Sequence, residues 1–132
     1  MKSFRVLTLI AVALIAVTVA AYQAPGYHIT STYALGGDGS WDYLTFDSKG
    51  NRVFIGRENR IMVVDAATGK LLGEVPGLNR AHGVALSNVD NRGFATSGGD
   101  GTVTIFDLKT YKVLDKIIAA DDADAIFFDP AS

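Results

Sequence analysis

The sequence predicts an all-β fold, a β-propeller of four-stranded antiparallel blades that follows an N-terminal signal helix. Three observations predict it. The 132-residue chain begins with an apolar leader. The remainder consists of short apolar runs separated by Gly, Asn and Asp, which is typical of strands and turns. A unit of about 40 residues then occurs twice, and this is the period of a propeller blade. The chain therefore supplies about two blades, with a partial strand set at each end.

Residues 1–21 have the layout of a secretory signal peptide. Lys2 and Arg5 give a short positive start, residues 6–21 form an apolar run, and small residues close it. A membrane-spanning helix needs about 20 apolar residues, and this run is shorter. Cleavage is therefore favoured over retention as a membrane anchor, which stays the alternative. The predicted location is periplasmic or secreted, with no membrane span after cleavage.

Composition excludes several classes of function. The chain has a net charge of −2 and is 48% hydrophobic, which excludes a disordered chain. It contains no Cys, so a disulfide framework, a thiolate metal site and a Cys nucleophile are excluded. Nucleic-acid binding is not expected, because the chain has no basic excess that would attract phosphates.

An internal repeat organises the residues that follow the leader. Residues 65–75 align with residues 107–117, with Asp, Thr, Lys and Leu identical at four positions. Upstream, residues 51–54 align with residues 91–94 at an offset of 40 instead of 42, with Asn, Arg and Phe identical. An extra two residues fall in a hairpin turn, where repeats tolerate insertions. The predicted blades cover residues 42–75 and 82–118 of a propeller region that spans residues 22–132.

Each blade is predicted to contain four strands joined by tight turns. Gly, Asn and Asp at 50–51 and 90–91 accept the positive φ that such hairpins need. Asp65 and Asp107 begin the third turn of each blade, where a carboxylate can accept hydrogen bonds from nearby backbone N–H groups. The strands are predicted at 43–46, 52–56, 60–64 and 70–75 in the first blade, and at 84–86, 92–96, 102–106 and 112–118 in the second.

The repeat pattern continues at both ends of the propeller region. Residues 27–35 are predicted to form a lone fourth strand, and residues 124–128 a lone first strand. A propeller needs about four blades or more to close. We therefore expect an N-terminal fragment of a longer protein whose remaining blades are missing. The alternative is a short chain that closes by oligomerising.

Several segments resemble one known family. The segments GGDGSWDYL (36–44), VVDAATGK (63–70), HGVA (82–85), GDGTV (99–103) and DAI (124–126) resemble exported bacterial YncE-like proteins, which carry the YVTN β-propeller repeat. The literal YVTN tetrapeptide is absent, and RVFIG (52–56) and GFAT (93–96) occupy its place. The resemblance implies a seven-bladed propeller that acts as a binding or scaffold protein, and it names no substrate.

One set of polar residues stands out as a candidate site. Asp42, His82 and Asp124 occupy equivalent positions at the start of successive first strands, and Trp41 lies beside Asp42. First strands line the channel of a propeller, so these side chains are expected to meet at one rim. They could bind a polar ligand with Trp41 as a stacking wall. Asp42, His82 and Asp124 could instead hold a divalent metal, or only satisfy backbone groups between blades.

The predicted function is that of an exported binding or scaffold module whose partner is an unidentified protein or small molecule. No nucleophile motif such as Gly-x-Ser-x-Gly occurs, so catalysis is not the leading expectation, and no cofactor is identified. The alternative is a part of a propeller enzyme, lactonase-like or a subunit of a periplasmic dehydrogenase, with a metal or ligand site on the channel rim. A third possibility is a surface structural repeat.

Overall fold

The computed structural model describes residues 26–131, so the predicted signal peptide at 1–21 lies outside the described residues. Residues from Tyr33 onward form one compact unit, to which residues 26–32 do not belong. This unit contains two four-stranded antiparallel sheets, each in sequential strand order. The first sheet consists of β1 (Leu44–Asp47), β2 (Arg52–Arg57), β3 (Arg60–Asp65) and β4 (Leu71–Pro76), and the second of β5 (Ala81–Ser87), β6 (Arg92–Ser97), β7 (Thr102–Asp107) and β8 (Val113–Ile118).

The two sheets repeat each other in detail, which confirms the predicted repeat. The second and third strands pair with Arg52 opposite Asp65 in one sheet and Arg92 opposite Asp107 in the other. Each sheet also shifts register between its third and fourth strands at the equivalent place. The first hairpin of each sheet has an Asn at positive φ, Asn51 at 48° and Asn91 at 56°, as tight hairpins require.

The third turn of each sheet is held by an aspartate. Asp65 Oδ1 accepts hydrogen bonds from the Thr68 N–H and the Thr68 hydroxyl, both at 2.8 Å. These bonds lower the pKa of Asp65. Asp107 accepts from the backbone and side chain of Thr110 in the same way, and those bonds lower its pKa. The repeated Asp-x-x-Thr pattern therefore records a structural turn.

The third strand of the first sheet is buried on both faces, as its unbroken apolar run predicts. Ile61 and Val63 are 0% exposed on one face, and Met62 and Val64 are buried on the other. Successive side chains of a strand point to opposite faces, so the sheet is covered on two sides. The outer strand β8, by contrast, is exposed along its whole length.

The main core lies between the two sheets. Phe54 of β2 and Phe106 of β7 are both 0% exposed, and their ring centroids are 6.0 Å apart. Burial of two such rings and the aliphatic side chains around them contributes about 25 cal/mol per Å² of apolar surface. The buried residues of this core are Phe54, Ile61, Val63, Val75, Leu78, Ala81, Val84, Ala95, Phe106 and Leu108.

Arg52 fastens the first sheet to the second. Its Nε donates to Asp47 Oδ2 at 2.8 Å. One terminal nitrogen donates to the Leu108 carbonyl at 2.5 Å and to the Tyr111 hydroxyl at 3.1 Å. The guanidinium also lies 5.3 Å from the centroid of the Phe54 ring, within the range of a cation–π contact. A residue of the first hairpin thus reaches the third turn of the neighbouring sheet.

The two terminal segments differ from the predicted lone strands. Residues 26–43 and 119–131 belong to no strand. A ladder needs a hydrogen-bonded neighbouring strand, and among the described residues no backbone ladder bond reaches 27–35 or 124–128. Leu35 nevertheless packs against the cluster of Ile55, Met62 and Val64 on the outer face of the first sheet. Among the described residues, no helix has the length and hydropathy needed to cross a membrane.

Replacement of Asp47 is expected to remove an acid-sensitive contribution to stability. Burial raises the pKa of Asp47, but the hydrogen bonds from Arg52 and from the Gly50 backbone outweigh it, so the pKa lies below the ordinary 3.8. A lowered folded-state pKa stabilises the protein above about pH 4, and this stabilisation is lost as the pH falls further. Asp47→Asn should therefore have a lower free energy of unfolding than the parent chain at pH 7. The difference between the two chains should shrink below about pH 4.

Urea denaturation between pH 2.5 and 7 measures this difference. Asp121→Asn, which removes the same charge from an exposed turn, is the control and should follow the parent chain. A deficit for Asp47→Asn that stays constant across the whole pH range would contradict the assignment.

Candidate functional site

The structure brings the three predicted rim residues together. His82 Nδ1 lies 2.6 Å from Asp42 Oδ2 and 3.6 Å from Asp124 Oδ1. Because a carboxylate only accepts, the 2.6 Å contact requires Nδ1–H to donate to Asp42. His82 thus lies between carboxylates that come from the sequence before β1 and from the sequence after β8. Whether this cluster binds a ligand stays a prediction.

A β-bulge positions His82. The pairing of β5 with β6 shifts between Ala81 and Val84, so His82 and Gly83 stand outside the regular ladder. The Thr96 hydroxyl replaces the missing ladder bonds, accepting from the Gly83 N–H at 2.9 Å and donating to the Asp124 carbonyl at 2.5 Å. Bulges commonly redirect side chains next to functional sites. Here the bulge also links β5 to the segment that carries Asp124.

In the first sheet, the position equivalent to Thr96 is occupied by Gly56, which lies where β5 approaches β2. A Cβ on Gly56 would lie 2.4 Å from the His82 carbonyl oxygen, so the close approach of β5 to β2 requires a residue without a side chain. Thr96 stands at the matching position of β6 and bonds to the neighbouring segment through its hydroxyl. The rim is therefore assembled by a close backbone contact on one side and a hydrogen bond on the other.

The second ring nitrogen of His82 is enclosed. Its side chain is 13% exposed, and Nε2 is buried with no hydrogen-bond partner among residues 26–131. A Cβ on Gly98 would lie 2.5 Å from Nε2, so Gly98 provides the space into which the ring fits. The imidazole is held in place on both sides, by Asp42 at Nδ1 and by close packing at Nε2.

The open part of the rim is made of carboxylates. Asp42 and Asp124 have side chains that are 34% and 55% exposed. Nearby, Asp122 pairs with Arg80 at 3.2 Å, and both side chains are exposed. Such a surface offers hydrogen-bond acceptors and favours donors and cations.

Trp41 directly precedes Asp42 in the chain, and one face of its ring is already occupied. The Arg57 guanidinium lies 3.8 Å from the centroid of the Trp41 ring, which is a stacked cation–π contact. The Trp41 side chain is 52% exposed, so its other face is accessible to solvent. That Trp41 serves as the stacking wall of a ligand site stays a prediction.

Arg57 itself is the main residue that sequence reasoning missed. It is 0% exposed, and its guanidinium donates to five consecutive backbone carbonyls, those of residues 36–40, at 2.7–3.2 Å. The glycine-rich segment 36–39 resembles a phosphate cradle in sequence, yet its carbonyls surround a cation. The one sequence signal was an arginine directly after the predicted strand 52–56, about 20 residues after a glycine-rich segment.

A metal site is not formed by the rim residues as they stand. Among the described residues, no group of three or more His, Asp or Glu side chains is arranged to hold a metal ion. Metal–ligand distances are about 2.0–2.2 Å, whereas Asp42 and His82 are joined directly by a hydrogen bond. A metal would have to replace that bond.

Comparisons with known proteins support the fold. No known family profile matches the chain. In the solved structures, the chain is similar to hydrazine synthase of Kuenenia stuttgartiensis, with a TM-score of 0.65 and 23% identity over 80% of the chain. It is also similar to AztD of Citrobacter koseri (TM-score 0.58, 12% identity, 67% of the chain) and to the Cps50 (Swd1) β-propeller domain of Myceliophteria thermophila (TM-score 0.58, 18% identity, 68% of the chain).

These similarities concern parts of larger proteins. The chain covers 30%, 26% and 28% of those three structures. A curated relative, the U3 small nucleolar RNA-associated protein 18 homolog of Arabidopsis thaliana, is 33% identical over 78 residues, which is 58% of this chain and 14% of that protein. Together with the two repeated sheets, the similarities establish a β-propeller fold.

Replacement of Arg57 by lysine is expected to loosen the loop at residues 36–40 and the packing against Trp41. An ammonium cannot donate in the planar fork that reaches five carbonyls, and hydrogen bonds to a charged group contribute about 1.5–3 kcal/mol each. Arg57→Lys should therefore lower the free energy of unfolding by about 2 kcal/mol or more, and should shift the emission of Trp41 to longer wavelength.

Chemical denaturation followed by circular dichroism and by tryptophan fluorescence gives both quantities. Arg80→Lys is the matched control, since its partner Asp122 is exposed and such pairs contribute at most about 1 kcal/mol. Equal effects of the two lysine variants would refute the buried role of Arg57.

Proposed function

We propose that this chain is a binding module, part of an exported propeller of the YncE-like, YVTN-repeat class, and that its ligand docks on the rim formed by Trp41, Asp42, His82 and Asp124. The observation that carries the proposal is the position of His82, 2.6 Å from one carboxylate and 3.6 Å from a second. Equivalent positions of successive repeat units thus supply different polar groups to one place.

The geometry favours binding over catalysis. A general base needs a ring nitrogen within hydrogen-bond reach of the substrate, but Nδ1 of His82 is engaged by Asp42 and Nε2 is buried. The propeller neighbours include a protein named as a synthase and a domain named only for its fold, so the fold itself does not select an activity. An enzyme with a rim site, lactonase-like or a dehydrogenase subunit, remains the second reading of the sequence resemblance.

The chemistry of the rim limits the class of ligand. Exposed oxygens of Asp42 and Asp124 accept hydrogen bonds, and the accessible face of Trp41 offers a flat apolar surface. A ligand that donates hydrogen bonds from one edge and stacks with another part satisfies both groups. The same description fits a small molecule and a donor-rich side chain of a partner protein.

The proposed location is the periplasm or the extracellular space. It rests on the signal-peptide layout of residues 1–21, a short basic start followed by the apolar run at 6–21.

Binding at the rim is expected to depend on His82 and Asp42. Trp41 is the only tryptophan of the chain, so its fluorescence reports directly on rim occupancy. We would screen a fragment library by this fluorescence and titrate Zn²⁺, Cu²⁺ and Ca²⁺ by calorimetry. The affinity of any ligand found should fall about tenfold or more in His82→Ala and Asp42→Asn.

His28→Ala replaces the other histidine of the chain and should bind as the parent does. Heat with the metals that disappears in His82→Ala would assign a metal, while a fragment hit without metal heat would assign an organic ligand. Binding of equal strength in the parent and in both rim variants would place the ligand elsewhere and remove the proposal, as would no binding of either kind.

A further inference from the structure

A tyrosine ring fills a glycine position where the two sheets meet. The ring of Tyr111, in the third turn of the second sheet, lies over Gly73 of β4, where a Cβ would be 2.5 Å from a ring carbon. Gly73 is not at positive φ, so its lack of a side chain serves the ring and not the backbone. The Tyr111 ring is fixed by an edge contact with Phe54, at 6.4 Å between centroids, and by the hydrogen bond from Arg52.

A second tyrosine fills a glycine position on the opposite side of the first sheet. The ring of Tyr33 lies over Gly69, where a Cβ would be 2.4 Å from the ring. The Tyr33 hydroxyl donates to the Ala67 carbonyl of the same turn. Leu35, two residues further on, packs on the outer cluster of the first sheet.

The repeat shows that these two contacts join the same pair of positions. Tyr33 lies two residues before Leu35, as Gly73 lies two residues before Val75, and both aliphatic residues precede a rim residue by seven positions. Gly69 and Tyr111 both lie four residues after the aspartate that opens the third turn. The same outer-strand position therefore meets the same turn position at each interface, with tyrosine and glycine exchanged.

The turn backbone accepts either residue. Gly69 has a φ of +69° and Tyr111 a φ of +59°, so both adopt the left-handed conformation. An aromatic residue is uncommon there, and Tyr111 keeps this conformation while its ring packs against the other sheet. The choice between glycine and tyrosine at the turn is thus set by the neighbouring unit and not by the turn itself.

We propose that neighbouring repeat units of this protein recognise each other through one ring-in-notch pair per interface, in which a tyrosine of either unit enters a glycine position of the other. Two tyrosines would overlap, and two glycines would leave an unfilled space between the units. The third turn of the first sheet, which carries Gly69, therefore selects an outer segment with tyrosine two residues before an aliphatic residue, as in 33–35. The turn of the second sheet excludes such a segment.

Exchange variants of the full chain test the pair. Gly73→Tyr (two rings) and Tyr111→Gly (two glycines) should each lower the thermal midpoint by about 10 °C. The double variant Gly73→Tyr with Tyr111→Gly reproduces the orientation seen at the Tyr33 interface, and it should recover at least half of the summed loss. Losses that simply add in the double variant would overturn the proposal.

If a tyrosine variant fails to fold, a double-mutant cycle with alanine at positions 73 and 111 tests the same contact. Gly73→Ala should lower the midpoint in the parent, since its Cβ meets the ring, but should have little effect in a Tyr111→Ala background. Gly26→Ala, whose Cβ would meet nothing within 4 Å, is the control. An effect of Gly73→Ala that is the same with and without the Tyr111 ring would show that glycine is required for another reason, and the recognition pair would be refuted.

Discussion

Burial of the Phe54 and Phe106 rings between the two sheets is the contact on which the other features depend. It holds consecutive units face to face, and the Arg52 contacts with Leu108 and Tyr111 fix their relative position. Only in that position does β5 approach β2 closely enough for His82 to reach Asp42. The rim is therefore a product of the packing between units and not of any single strand or loop, which is how a repeat architecture assembles a site from equivalent positions.

Much of this arrangement could be predicted from the sequence, because residues at equivalent positions of the repeat occupy equivalent places in successive sheets. The Asp-x-x-Thr turns and the convergence of Asp42 with His82 follow once the period is known, and the double burial of β3 follows from its unbroken apolar run. The cradle around Arg57 could not be predicted in this way, because it occurs in one unit only and joins an arginine to a loop about 20 residues earlier. The role of the Thr96 hydroxyl could not be predicted either, because the Asp124 carbonyl that it bonds lies outside the second sheet. The lone strands were predicted from the pattern, yet a strand also needs a neighbour.

The comparisons place this chain within an architecture that serves proteins of very different names, at identities of 12–23% in the solved structures. At that level the fold is shared, and a shared fold does not imply a shared function. The functional question is therefore decided by the side chains that differ between units, namely Asp42 against His82, Gly56 against Thr96, and Gly69 against Tyr111. These differences make each unit of an otherwise regular repeat distinguishable from the next.

The stacking of Arg57 on Trp41 also has an electronic consequence. A cation held against one face of an indole draws on the same π-electron density that a second cation would need on the other face. The outward face of Trp41 is therefore a poorer partner for an ammonium or guanidinium group than an isolated tryptophan would be, and a better one for an uncharged planar or sugar-like surface. For the proposed ligand, the character of this indole face would thus be set from behind by the buried Arg57.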